Sequence, residues 1–453
     1  MVGLALTSTP ALADDTLVIA HDPEPRTTTA RRSDRPGDWY VARAWWTNEL
    51  DTFAGLFQLG IVENRADASY SLLNVAGGSQ IDDENYSLLS FAGGIADVDD
   101  FRGGVLVAGG IAEAQDFSGL LLASPFYASR ASTFRGALQY ATIANEADEW
   151  YGGVQWSLGY NGIDDAFYGV AQIGSYNLVE GDFGGVAQIG AVNDTTSFTG
   201  PLVLGAYNRL GEGLALAQVG AYNHVEDELD ALVSVGGFQR TNRFRGGVEV
   251  GLLNASSDFV GVAQIGYANL GWRELLDGRQ HDFRGGLQAS FGNIVDGDFS
   301  GGIQAGGVFS YVNDNFRGGM QLGYLASAVG DDFDGFMQAA AGFAYVDDDF
   351  HGALQVAGIA AVALEEMHGV QIGGAFTGTR NMRGLSVAGL GNIDQDVKGV
   401  QVGGFNMADK RLSGLQIGVV NYTERLKGMQ LGLINISKKH GAPVMPIANF
   451  GAP

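Results

Sequence analysis

FYGVAQIGSYNLVEGD (residues 167–182) runs without a gap into FGGVAQIGAVNDTTS (183–197). The same phrase returns as FVGVAQIGYAN at 259, FRGGLQASFGNIVDGD at 283, FSGGIQAGGVF at 299, FRGGMQLGYLA at 316 and FHGALQVAGIA at 350. It continues as VKGVQVGGFNMADKR at 397, LSGLQIGVVNYTER at 412 and LKGMQLGLINISKK at 426. From about Thr52 onward the spacing is 14 to 17 residues, with one longer spacer, giving ~24 units. A period this uniform means that the fold is the repeat.

Each unit opens on an aromatic or aliphatic anchor, then any residue, then Gly. A stretch centred on Gln-apolar-Gly follows, often closing on Asn, and then two to five acidic or turn-forming residues. The central stretch alternates: Met320, Leu322 and Tyr324 are apolar, while Gly319, Gln321 and Gly323 are small or polar. Period two over ~8 to 10 residues, bounded by Asn, Asp and Gly, is the signature of a strand. Up to four Gly per unit, each costing ~1 kcal/mol inside a helix, exclude the helical alternative. The anchor stands four residues before Gln in some units (Met367 to Gln371) and five in others (Phe283 to Gln288), which places it at a turn or across a bulge.

Two all-β architectures satisfy the pattern. In the favoured one, a large antiparallel β-barrel of outer-membrane type, each unit is one of ~24 strands, and ~10 residues at 3.4 Å with a tilt of about 40° cover roughly 25 Å. Ile173, Ile189, Ile265, Leu322 and Val402 then face lipid. Phe167, Phe183, Phe259 and Phe283 form one aromatic girdle, and Tyr176, Tyr207 and Tyr222 the other. Gln155, Gln172, Gln188, Gln264, Gln288, Gln304, Gln321, Gln338, Gln355, Gln371, Gln401, Gln416 and Gln430 face an aqueous lumen, together with Arg245, Arg284 and Arg317 at its rim. In the alternative, a β-solenoid, each unit is one turn, so that Phe stacks on Phe and Asn on Asn.

The amino terminus supports export. Met1–Ala13 is short and apolar and ends in Ala11-Leu12-Ala13 before Asp14-Asp15, which reads as a signal peptide truncated ahead of its basic region. Residues 14–37 read as a flexible linker and 38–453 as a single repeat domain. No run of ~18 apolar residues occurs, so a membrane role has to come through strands.

The phrases GVQIGGAF (369–376), KGVQVGGFNMADK (398–410), SGLQIGVVN (413–421) and KGMQLGLINISKKHGAPVMPIANF (427–450) resemble bacterial surface-repeat proteins of spirochaetes and other Gram-negative bacteria. Those chains are tandem G-apolar-Q-apolar-G-apolar-apolar-N units ending in a Pro-Ile-x-Asn-Phe-like segment. The match is closest over the last ~90 residues. The resemblance implies an exported, envelope-associated β-repeat protein located in the outer membrane or at the cell surface. It implies no particular activity. Here Phe450 is followed by Gly451-Ala452-Pro453, a departure from an aromatic ending.

Composition narrows the function classes. There are 51 acidic against 26 basic side chains, a net charge of −25, and this surface repels nucleic acid. The absence of Cys excludes disulfides, thiolate metal sites and cysteine nucleophiles. His21, His224, His281, His351, His368 and His440 do not fall at metal-ligand spacing, and no nucleophile or phosphate-binding motif stands out, so neither enzyme activity nor a cofactor is expected. Acidic bends such as Asp296-Gly297-Asp298 and Asp347-Asp348-Asp349 offer oxygens to Ca²⁺, but Asp and Gly are ordinary turn residues and no unit matches a full calcium loop. Basic residues follow the anchors: Arg102, Arg135, Arg245, Arg284, Arg317, Arg383, Lys398 and Lys427. Seven basic and two acidic side chains from 397 onward leave +5 there and −30 in the remainder, an asymmetry suited to an acidic envelope surface. The expected partners are thus the outer-membrane bilayer together with small solutes or surface partners, and the function a passive channel or structural surface role; the solenoid alternative is an adhesin or scaffold.

Overall fold

The computed structural model describes residues 2–6, 17–21, 39–271 and 281–451. The export-signal and linker readings fall mostly outside them. Within 1–37 only the backbones of Val2–Leu6 and Leu17–His21 are described, paired as antiparallel strands. The chain divides into two compact units, Met1–Ala221 and Tyr222–Pro453. The same construction rule builds both.

Successive repeats lie side by side in parallel, with like residues in register. In the first unit Ala171–Gly184 pairs with Ala187–Leu204 through Gln172↔Gln188, Gly174↔Gly190, Asn177↔Asn193 and Phe183↔Phe198. In the second, Phe283–Val295 pairs with Phe299–Val312 through Phe283↔Phe299 and Gln288↔Gln304. Each unit is a parallel β-solenoid. This overturns the antiparallel barrel: strands joined by a tight turn run in opposite directions and bring unlike residues together, whereas a parallel neighbour requires the chain to travel a full circuit first. The remainder of each 14–17-residue repeat supplies that circuit. No lumen and no lipid-facing wall follow from such a fold, so the porin-like reading goes with the barrel.

One turn makes the anatomy plain. Phe316–Gly323 is an eight-residue strand, Tyr324-Leu325 a bend, Ala326–Val329 a four-residue strand, and residues 330–332 a second bend before Phe333. Phe316, Gln321, Ser327 and Val329 are buried, while Arg317, Tyr324 and Asp331 are exposed.

The anchors form an interior column. Phe101, Phe117, Phe134, Trp150, Phe167, Phe183 and Phe198 stack with ring centroids 4.4 to 5.2 Å apart. In the second unit Phe244, Phe259, Phe283, Phe299, Phe316, Phe333 and Phe350 do so at 4.7 to 5.3 Å. These distances follow from the inter-strand spacing of ~4.8 Å, so backbone pairing and offset ring stacking are satisfied together. Most of these rings fold over the Gly two residues ahead: a Cβ at Gly335 would stand 2.8 Å from Phe333 Cζ. That is why the motif reads Phe-x-Gly.

The change of anchor spacing is taken up as a bulge. Phe350↔Met367 and Gln355↔Gln371 are both in register, with a register shift between His351 and Leu354. In the shorter turns that follow, Gly369, Gly384, Gly399, Gly414 and Gly428 adopt φ from 125° to 152°. A non-glycine residue is strained there.

Candidate functional site

All thirteen glutamines assigned to a lumen lie inside the solenoid, buried. Each donates its Nε2 back to the Oε1 of the previous turn wherever that turn also carries Gln. In the first unit Gln155 bonds Gln139, Gln172 bonds Gln155 and Gln188 bonds Gln172, at 2.9 to 3.1 Å. In the second, the series from Gln288 to Gln371 does the same at 2.8 to 3.0 Å, and Gln416 and Gln430 extend it from Gln401 at 2.6 and 2.8 Å. Nε2 also crosses the core to a carbonyl of the facing strand, as from Gln338 to Tyr345 O at 3.0 Å.

The asparagines run the opposite way. Asn161 Nδ2 donates forward to Asn177 Oδ1 at 2.9 Å and to Ile173 O at 2.8 Å, so both its hydrogens are used within the next turn. Asn177 and Asn193 repeat this, as do Asn406 and Asn421 in the second unit. Period-two reading was therefore right about alternation and wrong about which face is wet. Buried amides are costly only when unpaired, and here each turn pairs those of the next. The carboxy-terminal strand Val444–Gly451 crosses the last turn antiparallel and closes both ladders: Asn449 donates to Gln430 Oε1 at 3.3 Å, and Asn435 to Met445 O at 3.1 Å.

Three carboxyls replace ladder or core residues, and the sequence reading passed over them. Glu249 stands where FRGGVEVG departs from the Gln phrase, and it accepts from Gln264 Nε2 at 2.9 Å and from Ser256 Oγ. Asp394 accepts from the Thr379 N–H at 2.8 Å and from Gln401 Nε2 at 2.6 Å. Asp82 accepts from Gln80 and Asn85 at 2.8 and 2.7 Å. Burial pushes each of the three up to about 7, against the pull of those hydrogen bonds.

Arg245, Arg284 and Arg317 are exposed and line no pore. Arg284 Nη2 reaches Asp282 at 3.0 Å, Arg245 pairs with Glu228, and Arg317 lies in register between Ser300 and Asp334. Exposed pairs of this kind are worth ~0–1 kcal/mol. The acid just before the anchor ties adjacent turns together. Asp282 Oδ1 accepts the Asp298 N–H, Asp298 Oδ1 the Asn315 N–H, Asp332 Oδ1 the Asp349 N–H and Asp349 Oδ1 the Glu366 N–H. Among the described residues, no group of three or more His, Asp or Glu side chains is placed to hold a metal ion. On the acidic bends, desolvation and neighbouring acids raise Asp314 and Asp348, and the Asp347 carboxylate holds the Tyr345 hydroxyl proton, pushing that group up to about 12.

The second unit segregates its chemistry. From 286 to 437, ten consecutive turns contain a charge-free stretch of at least ten residues each, such as 300–313, 318–330 and 352–364. Within it runs a large–small alternation with a two-turn period: Phe291-Gly292, Val308-Phe309, Leu325-Ala326, Gly342-Phe343, Ile359-Ala360, Ala375-Phe376, Leu390-Gly391, Gly404-Phe405. Register places Gly292, Phe309, Ala326, Phe343, Ala360 and Phe376 in one column. Toward the last turns this edge opens into an apolar groove of about 630 Å³ lined by Gly403, Gly404, Ile417, Gly418, Gly432 and Leu433 among others.

No protein family, no curated protein and no solved structure matches the chain.

Proposed function

We propose that the chain is an exported, envelope-associated β-solenoid scaffold that acts through its faces rather than by catalysis. The observation that carries this reading is the division of the second unit into a charged edge and a charge-free edge, each repeated turn after turn. The glutamine and asparagine ladders of the core are engaged in holding turns together, which leaves the outer faces to make the molecule's interactions. A continuous apolar edge larger than a few hundred Å² marks an interaction surface. The basic residues from Lys398 onward, of which Arg411 and Lys439 pair with Asp396 and Glu424, suit contact with acidic envelope polymers.

The test is fractionation of cells expressing the tagged full chain, with protease added to intact cells. The reading expects recovery in the envelope fraction, release without detergent, and cleavage from outside. Recovery in the cytosolic fraction overturns it.

A further inference from the structure

The charge-free edge of the second unit is shaped to receive a copy of itself, and we infer that two chains pair there in antiparallel fashion. The inference rests on reading this edge as an interaction surface, and it names the partner. In the register column, rings at Phe309, Phe343 and Phe376 alternate with Ala326 and Ala360. Gly391 continues the series: a Cβ built there would lie 3.7 Å from ring atoms of both Phe376 and Phe405. Large side chains in one column therefore recur every second turn, ~9.6 Å apart at ~4.8 Å per turn, with a vacancy the width of a small residue between them. Phe343 remains 51 % exposed and Phe376 43 %, so the rings stand out from the surface.

A comb with this pitch finds its complement in another comb with the same pitch, as in the interdigitated faces of stacked sheets. A bilayer has no such period, and an unrelated globular surface has no reason to carry it. Two-fold pairing makes the contact isologous. In the antiparallel sense it sets the aromatic start of the edge, Phe291 and Phe309, against the glycine-lined groove at its end. Charge permits the arrangement, since the acids of the second unit lie outside the charge-free stretches that are joined. Area agrees too. Ten turns span ~45 Å, and contact about five residues wide, half of each charge-free stretch, at ~3.4 Å per residue reaches roughly 800 Å² per copy, the size of a standard stable interface.

The test is the mass of the purified full chain by light scattering or sedimentation at 1–50 μM. Two variants are compared with wild type: Phe343→Glu/Phe376→Glu, which places charges on the knobs, and Ala326→Phe/Ala360→Phe, which fills the holes. The expected result is a wild-type dimer and a monomeric charge variant whose circular dichroism is unchanged. The hole-filled variant, more apolar than wild type, should still dimerise at least tenfold more weakly. A wild-type monomer at 50 μM overturns the inference, as does a dimer that neither variant weakens. Flotation of the monomer with phosphatidylcholine vesicles, strengthened by filling the holes, assigns the edge to lipid and also overturns it. An envelope-located monomer removes the dimer and keeps the scaffold; a cytosolic dimer does the reverse.

Discussion

Replacing Gln338 by Met removes one rung of the glutamine ladder while keeping an unbranched side chain of similar length. Four hydrogen bonds go: Nε2 to Gln321 Oε1 (2.8 Å), Nε2 to Tyr345 O (3.0 Å), Gln355 Nε2 to Oε1 (2.9 Å) and a long, weak one from Nε2 to Ser327 O (3.4 Å). Gln355 Nε2 keeps Val362 O at 3.0 Å, so the groups left wanting are Gln321 Oε1 and, in part, Tyr345 O. Two buried acceptors at about 1–3 kcal/mol each, with the carbonyl at the low end, cost roughly 3–4 kcal/mol. Added apolar burial returns about 1 kcal/mol. The expected net loss is about 2–3 kcal/mol. In a repeat array this loss is local, so urea unfolding should be joined to hydrogen exchange, with protection falling most in the amides of 321–355 and recovering within two turns on either side. A cycle with Gln321→Met isolates the bond between the two glutamines, and the double variant should cost about 1 kcal/mol less than the sum of the singles. A Gln338→Met protein within 0.5 kcal/mol of wild type, or an additive cycle, refutes the claim that the ladder contributes to stability.

Further outcomes follow from the same interior. Glu249, Asp394 and Asp82 are each raised to about 7 from ordinary values of 4.5 or 3.8, so the folded state holds protons that the unfolded state has already released. Their contribution is complete below about pH 4 and is lost as pH rises to 7, at up to ~1.4 kcal/mol per pH unit per group; urea midpoints should therefore fall from pH 5 to pH 8, with a shallower slope in Glu249→Gln. Ser386 takes the ladder position after Gln371, whose Oε1 is buried without a hydrogen-bond partner among the described residues. Ser386→Gln with Asp394→Asn, which removes the buried acid but keeps an acceptor for the Thr379 N–H, should rebuild the ladder, raise stability by ~1–3 kcal/mol at pH 8 and be read as a higher melting temperature. Gly384→Ala places a Cβ 2.0 Å from Gly369 O at φ 143° and should cost more than ~3 kcal/mol, whereas Gly378→Ala meets nothing closer than Ile393 O at 3.5 Å and should melt within a few degrees of wild type.

The strand character, the repeat boundaries and the bulge at the anchor were legible because each depends on local period and on Gly placement. The direction of pairing was not, since period two is the same in an antiparallel wall and in one side of a parallel coil. Hydropathy then chose the wrong interior. Gln172 or Gln338 next to Ile and Gly reads as a wet face, and only the stacking of identical amides at ~4.8 Å makes that face the dry one. One signal already favoured the solenoid alternative. The order Phe–Gln–Asn never inverts between neighbouring units, which suits turns of one coil better than strands of alternating direction. The Glu in FRGGVEVG and the two-turn alternation from Phe291 to Phe405 were equally visible, but both gain meaning only once turns are known to lie one upon another. The Pro-Ile-x-Asn-Phe-like ending, noted as a resemblance, becomes a cap through Asn449.

The central claim is that like residues of successive repeats lie one above another in parallel. Because the chain has no Cys, nitroxide labels can be placed singly or in pairs along one outward column, in which Arg284, Ser300, Arg317, Asp334, His351, His368 and Arg383 are successive register partners. Pulsed dipolar spectroscopy on Arg284→Cys/His351→Cys and Arg284→Cys/Arg383→Cys measures separations of four and six turns. The parallel coil predicts ~19 Å and ~29 Å between backbones, growing in proportion to the number of turns. Distances that fail to grow with turn number, or that alternate between near and far as labels move from one repeat to the next, contradict it.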